Sequence, residues 1–122
     1  MTSPQTYLDE VERLMAVPAR GTRGLWPRAS AWLLRLALES ALDQYWDDTA
    51  PAIGACRNRR SQILMLSRYI GATSSRRVAM LWWSLSRAGH HHSYELALTA
   101  GELTHLHAEV REVVTFLHQK HP

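Results

Sequence analysis

Cysteine is almost missing from this 122-residue chain. Cys56 stands alone, so no internal disulfide can form, and neither a cysteine-rich zinc site nor a stapled secreted framework can be built. A reducing, cytoplasmic setting is the expectation. Lysine is equally scarce: Lys120 is the only one among 14 basic residues, and the other 13 are arginines. The longest unbroken apolar stretch, Val78 to Trp83, falls far short of the ~20 residues that a spanning helix requires. The first ten residues hold neither a basic leader nor an apolar run, so no signal peptide and no membrane partner are expected. Strand pairs, internal repeats and low-complexity segments are also lacking.

What is present reads as helix throughout, in a single domain of residues 1–122 with its core over roughly 26–117. Ser3 caps a first helix with Pro4 at its first position, where a missing N–H costs nothing, and Tyr7, Leu8, Val11, Leu14 and Met15 recur at helical spacing. Pro18, Gly21 and Gly24 then make an arginine-studded loop. A second helix is predicted from about Pro27 to Trp46. Its stripe is Trp32, Leu33, Leu36, Ala37, Ser40 and Asp43, widened by Leu34, Leu38, Ala41, Leu42, Tyr45 and Trp46. So wide an apolar surface calls for burial on more than one side.

Pro51 and Gly54 break the pattern. A third helix is expected from about Asn58 to Ile70, with Ile63, Leu64, Leu66, Ser67 and Ile70 inward and Gly71 as its stop. Arg57, Arg59 and Arg60 crowd its beginning, where the helix dipole mildly disfavours cations, as on a solvated surface or at an anion-binding edge. Ser74 or Ser75 should cap a fourth helix, apolar nearly all round from Val78 to Leu85 and ended by Gly89. Thr99-Ala100-Gly101-Glu102 is a capping box that starts the last helix, with Leu103, Leu106, Val110, Val113, Val114 and Leu117 buried. The fold class is therefore all-α, an antiparallel bundle of about five helices.

Chemistry concentrates in Arg87-Ala88-Gly89-His90-His91-His92-Ser93-Tyr94. Arginine recognises phosphate, histidine moves protons near neutral pH, and tyrosine offers an aromatic hydroxyl. Arg87 shares a helical stripe with Met80 and Trp83, so it must pair with a carboxylate or phosphate, or reach water. Glu39 and Asp43, four apart with Arg35 on the second helix, are candidate supporting carboxylates if they meet Arg87 in space. Otherwise they form ordinary surface ion pairs.

A metal site from His90, His92, His105 and His107 is disfavoured, because His105 and His107 point to different sides of a helix and no cysteine joins them. No metal or other cofactor is expected. Reading Ile63 to Leu85 as helix-turn-helix is also disfavoured, since a recognition helix must present polar groups to base edges, and this one presents Met80 to Trp83. The parts suit metal-independent RNA cleavage better. A histidine removes the 2′-hydroxyl proton, the oxygen attacks the adjacent phosphorus, and an arginine stabilises the phosphoryl oxygens. A symmetric dimer would supply the second proton-transfer group.

Arg87-x-x-x-x-His92-x-Tyr94 resembles the Arg-x4-6-His signature of HEPN domains, and more closely the Arg-x4-His-x-Tyr form in toxins of HEPN/nucleotidyltransferase toxin–antitoxin pairs. The resemblance implies a small helical bundle with the motif near the end of a long helix and before the last one. It further implies an endoribonuclease acting as a toxin or in defence, a homodimer whose two motifs face each other, with Arg87 stabilising phosphate and His92 transferring the proton. His90 and His91 remain alternatives in register. Tyr94 would match the tyrosine that a nucleotidyltransferase antitoxin modifies with AMP to silence the toxin. Active relatives usually carry a polar residue after the arginine, where this chain has Ala88. That departure favours the alternative, a non-catalytic HEPN-like interaction or RNA-binding module within a larger complex.

Overall fold

The computed structural model describes residues 2–16, 26–89 and 98–120. All regular structure among them is helical: α1 (Pro4–Ala16), α2 (Trp26–Thr49), α3 (Pro51–Gly54), α4 (Arg59–Met65), α5 (Ser67–Ile70), α6 (Ala72–Gly89) and α7 (Ala100–Gln119). The chain is an all-α helical bundle, as its patterning predicts. The loop expected over 17–25 lies outside the described residues.

The bundle is organised around α2, which packs against α1, α6 and α7. At 24 residues it spans about 36 Å, long enough to serve all three. Ala31, Leu34, Leu38, Ala41 and Tyr45 follow the helical repeat and are buried, together with Leu42 and Trp46. Leu34, Leu38, Ala41, Leu42, Tyr45 and Trp46, expected only to widen the stripe, are its centre. Trp32, placed in the stripe by spacing, is instead 48% exposed. One residue along a helix is a rotation of about 100°, so a core centred on Ala31 and Leu34 turns Trp32 out to the rim.

Two sharp local features fix the connection after α2. Trp46 is fully buried and meets the rings of Tyr45 and Tyr69 edge-on, at 5.3 and 5.1 Å, which ties α5 to α2. A Cβ at Gly54 would lie 3.1 Å from Trp46 Cβ, so α3 closes on α2 more tightly than a side chain comfortably allows. The predicted third helix proves to be two segments interrupted at Leu66. Asn58 Oδ1 accepts from Ser61 N at 3.1 Å as its cap, and Leu64, expected inward, is 71% exposed.

Gly71 ends α5 with φ at +89°, a conformation strained for any L side chain. It also accepts from Ser75 N at 3.0 Å, so α6 starts at Ala72 and the predicted capping serines fall inside its first turn. Val78, Leu81, Trp82 and Leu85 face inward. Arg76, Met80, Trp83 and Arg87, spaced for the opposite stripe, all face solvent. The nearly all-round apolar surface expected of α6 is therefore covered only in part: α2, α4, α5 and α7 pack against it and leave Met80 and Trp83 in solvent. The capping box forms as predicted, with Thr99 Oγ1 accepting from Glu102 N at 3.1 Å and Glu102 Oε1 accepting from Thr99 N at 2.9 Å. No helix among the described residues is long and apolar enough to cross a membrane.

Candidate functional site

Trp32, Arg35, Glu39 and Asp43 stand at i, i+3, i+7 and i+11, so they line one flank of α2. That flank meets α6 through Glu39, whose Oε2 accepts from Trp82 Nε1 at 2.9 Å and from Arg35 Nε at 3.2 Å. It meets α4 through Arg59, whose Nη1 donates at 2.8 Å both to Asp43 Oδ1 and to Gln62 Oε1. Arg59 Nε also lies 3.9 Å from Glu39 Oε2. Gln62, buried behind Arg59, donates to the carbonyls of Ile53 and Cys56, which holds the α3–α4 turn. Two arginines and two carboxylates so close together nearly cancel in charge.

Over this neutral base lies a continuous ladder of rings and guanidinium groups. Arg35 Cζ is 5.6 Å from the centre of the Trp32 ring and 5.5 Å from that of Trp82. Trp82 meets Trp83 edge-on at 5.4 Å, and Arg60 Cζ sits 4.9 Å from the Trp83 ring centre. All three guanidinium–ring separations are within the range of cation–π attraction. Trp82 is buried in the middle of the ladder, whereas Trp32 and Trp83 at its ends are 48% and 44% exposed.

Arg87 stands one turn beyond Trp83 on the same stripe of α6. It is exposed and makes no ion pair or hydrogen bond among the described residues. Glu39 and Asp43, the carboxylates considered for it, are engaged by Arg35 and Arg59 instead. His90, His91, His92 and Tyr94 lie outside the described residues.

The other two histidines of the metal reading are apart in role. His107 is buried, with Nε2 3.1 Å from the Leu8 carbonyl, so it ties α7 to α1. His105 is exposed and lies 3.6 Å from Glu109. Among the described residues no group of three or more His, Cys, Asp or Glu is placed to hold a metal ion. Beside the solvent stripe of α6, an open groove of about 490 Å³ runs toward α7, lined by Arg76, Arg77, Met80, Ser84, His105 and Glu109. Arg77 there is held by Glu112 and Glu109 of α7, and its hydrogen bond to Glu112 raises its pKa further.

No family model, curated protein or solved structure matches this chain. The site must therefore be read from its own chemistry.

Sequence spacing singles out Arg87 and the Arg35/Glu39/Asp43 flank but not the ladder, because it places Trp32 in the apolar stripe of α2 and Trp83 on a helix apolar nearly all round. A signal was present in the charge pattern. Between Asp48 and Glu95 the chain carries seven arginines and no acidic residue. Of these, Arg59 and Arg77 pair with carboxylates from α2 and α7. Arg57, Arg60, Arg68, Arg76 and Arg87 are exposed without a carboxylate partner among the described residues.

Proposed function

We propose that this chain is a HEPN-like, metal-independent endoribonuclease, a cytoplasmic toxin or defence enzyme that works as a homodimer. The observation that carries the reading is Arg87: exposed at the end of α6, without a carboxylate among the described residues, in a segment of seven arginines and no acid. An arginine with no internal counter-charge is available to a phosphate, which its planar fork suits.

In the proposed reaction His92 takes the proton of an RNA 2′-hydroxyl, and O2′ attacks the adjacent phosphorus. The P–O5′ bond breaks, and the leaving oxygen takes a proton from a second histidine, either His90 or His91 or a copy in the partner subunit. Arg87 stabilises the charge that builds on the phosphoryl oxygens. The products are a 2′,3′-cyclic phosphate and a 5′-hydroxyl. AMP placed on Tyr94 by a nucleotidyltransferase antitoxin would add bulk and negative charge beside Arg87 and repel the RNA backbone.

The second reading is a non-catalytic RNA-binding or interaction module. Ala88 favours it, as do the ladder residues, which bind well without reacting. Substrate chemistry separates the two. The enzyme leaves cyclic-phosphate ends on RNA and spares an oligonucleotide in which every 2′-hydroxyl is methylated, whereas the module binds both and cuts neither.

A further inference from the structure

We infer that the ladder Trp32–Arg35–Trp82–Trp83–Arg60 is a base-stacking track for single-stranded RNA that delivers the strand to Arg87. The inference deepens the ribonuclease reading and rests on it for the choice of RNA as ligand.

Three observations converge. First, the aromatic ends of the ladder are open: Trp32 and Trp83 expose nearly half their surface, although tryptophan is normally among the more buried residues. Each carries a guanidinium over its ring, from Arg35 and Arg60 respectively. Rings and guanidinium planes are the surfaces on which unpaired bases stack, independently of sequence. A base displacing Arg60 from Trp83 gains a stacking face, and the released guanidinium meets the backbone phosphate.

Second, the ladder is held firmly. The Glu39 carboxylate fixes Trp82 and Arg35 together, and Arg59 with Asp43 and Gln62 braces the floor from α4. The exposed rings therefore project from a rigid base, which lowers the entropy lost on binding. Because Glu39 and Asp43 are matched by Arg35 and Arg59, the floor presents little net negative charge to repel a phosphate.

Third, the charge around the track fits a polyanion. Arg60 and Arg87 on the face itself, with Arg57 and Arg76 nearby in sequence, carry no carboxylate partner among the described residues. Trp83 and Arg87 are four residues apart, about 6 Å of helix rise, so a base on Trp83 leaves its neighbouring phosphate within reach of Arg87. A duplex would not fit this surface, because its bases are already stacked on each other.

The test measures binding apart from cleavage, by fluorescence anisotropy with a labelled, fully 2′-O-methylated single strand of about 10 nucleotides, within the site size typical of such surfaces. Wild type, Trp32→Ala, Trp83→Ala and Trp83→Phe are compared, with circular dichroism confirming that each is folded. Trp32→Ala and Trp83→Ala should each weaken binding about tenfold, and Trp83→Phe should keep most of it, since stacking needs a ring rather than an indole. Equal affinity across all four proteins, no binding by folded wild type, or equally good competition by a duplex of the same sequence would overturn the track. So would a wild-type dimer that becomes monomeric in Trp83→Ala and Trp32→Ala, which would assign the ladder to a second copy of the chain. Tight, tryptophan-dependent binding without cleavage of ordinary RNA would uphold the track and remove only the ribonuclease reading.

Discussion

Trp82 Nε1 donates a 2.9 Å hydrogen bond to Glu39 Oε2, joining the middle of α6 to the middle of α2 at the edge of the core. The same oxygen accepts from Arg35, so one carboxylate satisfies an indole that is almost wholly buried and orients a guanidinium lying against two rings. Glu39→Ala leaves the indole N–H without its acceptor and should lower stability by about 1–3 kcal/mol in urea unfolding. Glu39→Gln keeps an acceptor and should cost less. Wild-type stability in Glu39→Ala would show that the bond contributes nothing.

His105 and His107 of α7 should behave differently. His107 is buried against the Leu8 carbonyl, and its removal loses the bond that ties α7 to α1 and leaves a void between the two helices. His107→Ala is expected to lose about 1–3 kcal/mol of stability, whereas exposed His105→Ala should stay within about 0.5 kcal/mol of wild type. Thermal and urea unfolding of the pair checks this, and equal losses in both would contradict the assignment.

Acid should loosen the start of α7. The Thr99 backbone N–H, and then its hydroxyl, hold the Glu102 carboxyl below the ordinary carboxylate range. The folded-state value is thus lower than the unfolded one. Its stabilisation is complete above the unfolded value and disappears as pH falls through the folded value. The difference in unfolding midpoint between wild type and Glu102→Ala should therefore shrink on acidification through that window. A difference that stays constant or grows would refute the linkage.

Binding to single-stranded RNA should depend steeply on salt. The logarithm of the binding constant is expected to fall with the logarithm of salt concentration by about 0.7 for every phosphate contacted. Replacing Arg60 or Arg87 by Gln should each lower that slope by about 0.7, if each holds one phosphate. Both are exposed and free of ion pairs among the described residues, so unfolding midpoints should barely change. An unchanged slope in both variants would place the phosphate contacts elsewhere.

The helices were legible because strong punctuation frames them: Ser3-Pro4, Gly71 and the Thr99–Glu102 box all act where spacing places them. The inward side of α6 was not legible, since nearly every residue from Val78 to Leu85 is apolar and periodicity cannot choose among them. Packing against α2 makes the choice, and the Glu39–Trp82 bond adds to it, leaving Met80 and Trp83 in solvent. Partner choice was hidden for a similar reason. Asp43 and Arg59 are 16 residues apart and meet only because α3 turns the chain back onto α2. Arg87, which its spacing requires to pair or reach water, is exposed and makes no ion pair among the described residues.

The central claim is that Arg87 and His92 together cleave RNA without a metal. The most direct test incubates labelled single-stranded RNA with purified wild type, Arg87→Ala and His92→Ala in EDTA and identifies the ends produced. The account predicts 2′,3′-cyclic phosphate ends from wild type and none from either variant, with all three proteins equally folded. No cleavage by folded, unmodified wild type, or equal cleavage by all three, would contradict it and leave the chain as a binding module.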